Sequence, residues 1–264
     1  MAELSLTRAW NETAAFVKQE AGLLLPVALL AVLPAVAVQL VVPEPPRGRL
    51  PEPGLWILLV LLAVLIAMTA NIAISRLALR PGTSVGEALS HALRRLPAFL
   101  AAAIIVGIGF GLTLIVVGLV ILIPTAGPGG QPSPLGTALV FLIAFPVVLY
   151  VGARLFLTTP VTAAEPGGPF AILRRSWALT ADHAWTLIGL MILLVVLLLV
   201  VTLAVGTVAG ILIALAAGPP RPGSVSAMLM LLVGAALNTV VTAYLTTLTA
   251  RIYAQLAGDA ASGI

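Results

Sequence analysis

The sequence predicts an all-α integral membrane protein with six transmembrane helices, and two observations carry this prediction. Only 8% of the residues are charged and 61% are hydrophobic, far from the roughly 25% charge typical of soluble domains. Asp, Glu, Lys, Arg and His are also absent from six long apolar runs, and a helix needs about 20 apolar residues to cross a bilayer. These runs are 22–42, 55–75, 98–123, 136–151, 186–217 and 224–250.

The length of these runs decides between the two architectures that can span a membrane. Backbone amides in lipid must be satisfied within a helix or within a closed barrel. Barrel strands are only about ten residues long and alternate apolar with polar residues. Five of the six runs have 21 or more residues without such alternation, so we expect a helical bundle.

The first run follows a segment that predicts an interfacial amphipathic helix. Leu6, Trp10, Thr13 and Val17 share a helical spacing. Charged residues of both signs precede a 21-residue apolar run, which differs from the short basic start and brief apolar stretch of a cleaved signal. We therefore expect the first helix to remain in the mature protein.

The second amphipathic helix is predicted between the second and third runs. Ser84 and Glu87 have the spacing of a capping box, in which each side chain bonds the backbone of the other. Val85, Leu89 and Leu93 form an apolar stripe. Because proline disrupts helix interiors, we expect Pro97 to end this helix before the third run begins.

The fourth run predicts a helix that continues past Arg154 towards Leu157. A stretched loop should follow it, and then a third amphipathic helix with Pro169 in its first turn. Pro26, Pro34 and Pro146 lie inside apolar runs, where they predict kinks.

The loops on one side of these spans are short and rich in Pro and Gly, which suits connectors between the two helices of a hairpin. We interpret residues 1–264 as a single membrane domain with a pseudo-threefold repeat. Three hairpins, each preceded by a cytoplasmic interfacial amphipathic helix, occupy approximately 1–80, 81–160 and 161–258.

The positive charges predict the orientation. Ten of the 13 Lys and Arg residues fall on the side that holds both termini, and three fall on the other. The positive-inside rule therefore places both termini in the cytoplasm. The basic set contains twelve Arg and one Lys, which we interpret as a bacterial inner-membrane protein.

Composition also argues against several classes of function. The positive charges are ordered along the membrane normal, so we expect no nucleic-acid partner. The chain has no cysteine, its two histidines are far apart in sequence and its acids are dispersed, so we expect no metal site and no cofactor. Acid–base chemistry requires placed titratable groups, and we therefore expect neither catalytic residues nor an enzyme.

The candidate binding residues are five arginines and a tryptophan on the predicted cytoplasmic side. Arginine pairs well with phosphate and with carboxylate, so the group could hold an anionic lipid, a protein partner or the chain's own Glu165. We favour the structural interpretation, in which Arg154 snorkels towards water and the tryptophan is an interfacial anchor. The candidates are Arg154, Arg174, Arg175, Trp177, Arg94 and Arg95.

A second candidate set consists of uncharged polar residues within the spans. Small and hydroxylated side chains commonly let membrane helices pack closely and hydrogen-bond. The alternative is a polar path for a solute or lipid. The set comprises Asn71, Asn238, Thr242 and Thr246, and we also expect close helix packing at the glycine faces Gly107, Gly109 and Gly111 and Gly206 with Gly210.

Residues 154–180 carry a resemblance to a known family. An Arg leaving a span is followed by Pro160, Glu165, a Gly-Pro pair, an Arg-Arg-Ser-Trp run and another long apolar helix. This segment resembles the membrane domain attached to some bacterial glycerophosphoryl diester phosphodiesterases, and related multi-span proteins of unknown function. The resemblance implies a six-span bundle, and the family's catalytic barrel has no counterpart here, so it implies no hydrolysis.

These observations lead to three functional expectations. The first is a non-enzymatic inner-membrane protein whose cytoplasmic interfacial helices organise lipid or a partner protein. The second is a transporter or flippase for an uncharged or lipidic substrate, which requires a continuous cavity along the polar set. The third is a membrane-shaping protein, because amphipathic helices inserted in one leaflet would widen that leaflet.

Overall fold

The computed structural model describes residues 4–41, 54–127, 131, 133–221 and 223–262, with side chains described up to 258. Within this part every regular element is an α-helix. Six helices are long and apolar enough to cross a membrane. The prediction of an all-helical protein with six candidate spans is therefore confirmed.

Nine helices are described, and six of them contain the candidate spans. The spans lie in α2, α3, α4, α5, α8 and α9, whereas α1, α6 and α7 are shorter. The helices are α1 Leu6–Gln19, α2 Ala21–Val41, α3 Trp56–Leu79, α4 Val85–Leu122, α5 Pro134–Arg154, α6 Thr158–Ala164, α7 Pro169–Leu179, α8 Ala184–Ala217 and α9 Val225–Ser262.

Local sequence signals start two of these helices as predicted. The Ser84 side chain accepts from the Glu87 amide, and the Glu87 side chain accepts from the Ser84 amide, so the capping box is formed. Pro169 lies in the first turn of α7, where its missing amide hydrogen costs no intrahelical bond.

Pro97 does not end a helix, and this prediction is wrong. Helix α4 has 38 residues and passes through Pro97 without a break. Proline removes one hydrogen bond to the residue four positions earlier, but the rest of the helical ladder remains, and membrane helices commonly tolerate it. The second predicted amphipathic helix is thus the first part of α4, which is about 57 Å long and exceeds a bilayer core of about 30 Å.

The fourth span also differs from the prediction. Helix α5 ends at Arg154 rather than continuing to Leu157, and a turn then leads into α6. A stretched loop was expected here, yet Val161, Thr162 and Ala163 are fully buried in a short helix. Small and apolar residues in the Thr-Thr-Pro-Val-Thr-Ala-Ala sequence allow α6 to lie among α3, α4, α7 and α9.

The six spans contact one another in a ring. Helix α2 packs against α3, α3 against α4, α4 against α5, α5 against α8, α8 against α9, and α9 against α2. Helix α9 also contacts α1, α3, α6 and α7. We call the end of the bundle that contains α1, α6, α7 and the adjoining ends of α3, α4, α5 and α9 the arginine end.

Burial is concentrated at the arginine end. Two buried clusters form there, one around Leu157, Ile172 and Leu248 and the other around Leu24 and Ile72. In contrast, residues 103–122 of α4, 137–152 of α5 and 195–217 of α8 include no buried side chain. The chain's own packing therefore holds the bundle together mainly at one end.

The glycine faces of α4 and α8 are not sites of close helix packing within the chain. A Cβ atom added at Gly107, Gly109, Gly111 or Gly206 would meet no neighbouring atom within 4 Å, and one at Gly210 would meet only the Met230 methyl carbon at 3.9 Å. The close packing expected there is absent because these glycines lie in the loosely packed halves of their helices.

Candidate functional site

Helix α6 is held at its C-terminal end by cationic and polar side chains from α3 and α4. Arg76 Nη1 donates to the Ala163 carbonyl over 3.2 Å, and His91 Nε2 lies 3.0 Å from the same oxygen. Arg95 donates from Nε to the Thr162 carbonyl over 3.2 Å and from Nη2 to the Glu165 carbonyl. The C-terminal end of a helix has carbonyls without intrahelical partners and carries partial negative charge. These contacts therefore stabilise the position of α6 against α3 and α4.

The Glu165 carboxylate, directly after α6, connects two further helices. Arg175 Nε on α7 donates to Glu165 Oε1 over 2.9 Å. The Tyr253 hydroxyl on α9 donates to the same oxygen over 2.7 Å. Since the Glu165 backbone carbonyl also accepts from Arg95, this one residue joins α4, α7 and α9 around the end of α6.

Arg154 at the end of α5 is buried, with 7% of its surface exposed. Its guanidinium carbon lies 4.6 Å from the Trp177 ring centroid and 5.9 Å from that of Tyr150, within the range of cation–π attraction. Its backbone carbonyl accepts from the hydroxyls of Ser176 and Thr180. The expectation of a snorkelling side chain is wrong, because the aromatic rings cover the guanidinium.

An apolar groove lies outside this network, between α4, α5 and α7. It has a volume of about 350 Å³. Among the described residues, the exposed Arg174 is the only charged residue that lines it. We call it the α7 groove, and its lining comprises Val106, Leu155, Phe170, Leu173, Arg174 and Trp177.

The structure divides the predicted binding residues into two groups. One group contacts the chain itself: Arg95 binds backbone carbonyls, Arg154 lies over aromatic rings and Arg175 pairs with a carboxylate. The Trp177 ring contacts Arg154 and also lines the α7 groove. Arg94 and Arg174 are exposed, and within the described residues neither has an ion pair or hydrogen bond. The expectation that Glu165 pairs with one of these arginines is thus correct for Arg175 and not for Arg174.

The second candidate set is divided as well. The Thr246 hydroxyl donates to Asn71 Oδ1 over 2.9 Å, and Asn71 Nδ2 donates to the Ala67 carbonyl over 2.9 Å. Asn238 instead lines a separate cleft between α2 and α9, about 12 Å along α9 from Thr246. Thr242 lies between them and is half-buried, so the structure does not gather the four residues around one cavity.

Sequence reasoning missed two groups of residues. Arg76 and His91 reach Ala163 across 87 and 72 positions of sequence, and no local pattern reports such a contact. Gln39 lines the same cleft as Asn238. Gln39 is the only residue with a polar side chain in the first apolar run, and this isolated position could have identified it as a candidate.

Within the described ranges, no group of three or more His, Cys, Asp and Glu side chains is arranged to hold a metal ion.

Comparison with known proteins corrects the resemblance drawn from residues 154–180. No curated protein and no solved structure matches the chain. The family model that matches is described as Domain of unknown function (DUF7847), over residues 5–256, and it is not a family related to the glycerophosphoryl diester phosphodiesterases. The Arg, Glu and Trp of that short segment instead form packing contacts that hold α5, α6 and α7 together. Because the match covers nearly the whole sequence, this protein belongs to the DUF7847 family.

Proposed function

We propose that this protein binds anionic lipid at its arginine end, without enzymatic chemistry, and so organises lipid at the cytoplasmic face of a bacterial inner membrane. The α7 groove is the observation that carries the proposal. It places one exposed arginine, Arg174, beside an apolar surface of Phe170, Leu173 and Val106. An anionic phospholipid has the complementary pair of features, a charged phosphate and an apolar chain.

The division of the arginines supports this assignment. Arg95 and Arg175 already have partners within the chain, so an added phosphate would compete with Glu165 or with backbone carbonyls. Arg174 offers five N–H donors without a described partner. Each arginine near an anionic membrane surface contributes about 1 kcal/mol of attraction, so Arg174 should account for much of the preference for anionic lipid.

Exposed aromatic residues support the placement of α7 in the interfacial region. Phe170 is 71% exposed and Trp185, just after the start of α8, is 81% exposed. Aromatic residues are enriched where a membrane protein meets the headgroups. Both residues lie near the exposed Arg174 in sequence, at the same end of the bundle.

The proposed orientation and architecture rest on charge and helix pairing. By sequence, ten basic residues belong to segments on the arginine-end side and three to the loops predicted on the other side, which supports a cytoplasmic arginine end by the positive-inside rule. Contacts between α2 and α3, α4 and α5, and α8 and α9 support three hairpins. The proposed repeat consists of the hairpins without their preceding interfacial helices. Only α1 and α7 are separate helices before a hairpin, whereas the corresponding segment of the middle hairpin is the first part of α4.

Lipid titration followed by native mass spectrometry tests the proposal. The purified protein in mild detergent is mixed with phosphatidylglycerol or with phosphatidylcholine, and the bound lipids are counted. We expect the Arg174→Gln variant to bind phosphatidylglycerol about fivefold more weakly, which corresponds to the loss of about 1 kcal/mol, and to bind phosphatidylcholine as the wild type does.

The matched control is Arg221→Gln, which removes an exposed arginine from the opposite end. Its phosphatidylglycerol binding should equal that of the wild type. Equal binding by the wild type and by Arg174→Gln would refute an anionic-lipid site at the α7 groove.

A further inference from the structure

A second cleft, between α2 and α9, lies in the half of the bundle away from the arginine end. It has a volume of about 450 Å³, within the range of pockets that hold small ligands. Along α2 it extends from Val32 to Gln39, which is about 10 Å of helix. We call it the amide cleft because Gln39 and Asn238 both line it; Val36, Met230 and Gly234 are among its other lining residues.

The side chains of Gln39 and Asn238 are exposed, and their carboxamides have no hydrogen-bond partner within the described part of the chain. Asn71, by comparison, is paired with Thr246 and with the Ala67 carbonyl. Where lipid hydrocarbon surrounds a span, an exposed polar group that stays unpaired costs about 1–3 kcal/mol on the scale of protein mutational data. Two such groups on one cleft therefore favour a ligand that supplies hydrogen-bond donors and acceptors.

The remaining lining restricts the charge of that ligand. Among the described residues, no Asp, Glu, Lys, Arg or His lines the amide cleft. An ion brought there would lose its hydration without gaining a counter-charge. The ligand should also be largely apolar, because Val32, Val36 and Met230 form much of the wall.

We propose that the amide cleft binds an uncharged lipid that carries hydroxyl and ester groups, of the diacylglycerol type. Its hydroxyl and ester oxygens bond the carboxamides of Gln39 and Asn238, and its acyl chains follow the apolar walls between α2 and α9. This site shares no residue with the α7 groove, so it stands or falls independently of the anionic-lipid proposal.

Photo-crosslinking tests this assignment on the 264-residue chain in phosphatidylcholine vesicles. The probes are diacylglycerol and phosphatidylglycerol with the same photoreactive acyl chain, and labelled peptides are mapped by mass spectrometry. We expect diacylglycerol to label the facing parts of α2 and α9, around 32–39 and 227–238. Because a hydrogen bond contributes about 0.5–1.5 kcal/mol, Asn238→Leu should reduce this labelling roughly threefold to tenfold, and the double change with Gln39→Leu should reduce it further.

Two further variants keep the test decisive. Gly234→Leu fills the cleft without changing either carboxamide, since an added Cβ at Gly234 meets no atom within 4 Å, and it should also reduce labelling. Thr113→Val removes a polar group from the exposed surface of α4 and should leave it unchanged. Wild-type labelling spread evenly over all six spans, equal labelling here by phosphatidylglycerol, or full labelling of the double variant would each overturn the proposal.

Discussion

Arg174 and Arg175 are adjacent in sequence but have different surroundings. Successive residues on a helix do not share a face. Arg175 therefore reaches Glu165 after α6, whereas Arg174 lines the α7 groove. The Arg175 side chain connects α7 to the end of α6, and we propose that the Arg174 side chain binds a lipid phosphate.

Trp177 offers a direct test of the aromatic environment of Arg154. We expect Trp177→Leu to lower the free energy of unfolding by about 1–2 kcal/mol, because a desolvated guanidinium loses its cation–π partner. Trp177→Phe keeps an aromatic face and should lose less. Equilibrium unfolding in mixed detergent micelles measures both changes.

Trp185→Leu is the matched control for this prediction, since Trp185 is 81% exposed and Trp177 is 40% exposed. Its unfolding free energy should be close to that of the wild type. Equal losses in Trp177→Leu and Trp185→Leu would mean that the stacked ring contributes nothing specific.

At the residue scale, the sequence predicts on which side of the membrane an arginine lies better than it predicts which group the side chain contacts. The grouping of Arg154, Arg174, Arg175 and Trp177 near one end follows from their positions beside spans. Whether an arginine meets Glu165, a ring or a groove depends on how α6 and α7 are placed. That placement depends on contacts with α3, α4 and α9, which are far away in sequence.

At the scale of elements, helix starts were more predictable than helix ends. Ser84 and Glu87 form a local hydrogen-bond pair that any surrounding fold would permit. Pro97 was misread because its effect depends on context: the rest of a long membrane helix retains its hydrogen bonds around it. Helix α6 was missed because seven residues are too few to show a reliable period.

Replacing Pro97 distinguishes a continuous α4 from two separate helices. In a continuous helix, Pro97→Ala restores a backbone hydrogen bond to the Leu93 carbonyl, so we expect the free energy of unfolding to stay the same or rise. Thermal melting of the purified protein in detergent measures this. A marked fall in melting temperature would indicate that Pro97 separates two helices.

At the scale of the whole molecule, packing is uneven along the bundle. We expect Ala243→Val to lower the free energy of unfolding by about 1–3 kcal/mol, because Ala243 is fully buried and overpacking strains a filled core. Gly206→Ala should be neutral or stabilising, since the added Cβ meets nothing within 4 Å. Parallel unfolding curves compare the two, and a comparable loss in Gly206→Ala would show that the α8 glycine face is packed after all.

The proposed orientation can be tested with single cysteines, because the chain contains none of its own. Gln131→Cys and Asp182→Cys place thiols at exposed positions on opposite sides of the spans. In bacterial cells with an intact inner membrane, a membrane-impermeant maleimide should label Gln131→Cys and should label Asp182→Cys only after the inner membrane is permeabilised. The reverse pattern would place the arginine end outside the cytoplasm and remove the basis for the proposed site of action.

The six spans were predictable because the length and hydropathy of each apolar run suffice to identify it as a candidate span. The ring of spans and its tighter packing at the arginine end were not, since both arise from contacts between helices that are distant in sequence. The glycines of α4 and α8 illustrate the limit: the same residues would suit close packing, yet these lie in loosely packed halves.

Comparing Arg174→Gln with Arg175→Gln tests the central claim most directly. Phosphatidylglycerol binding and the free energy of unfolding are measured on both variants and on the wild type, below their melting temperatures. We predict that Arg174→Gln loses lipid binding about fivefold with unchanged stability, whereas Arg175→Gln keeps lipid binding and loses up to about 1 kcal/mol of stability from its partly exposed ion pair. The division into a structural and a lipid-binding arginine would be contradicted if both variants bound phosphatidylglycerol as the wild type does, whether or not their stability fell.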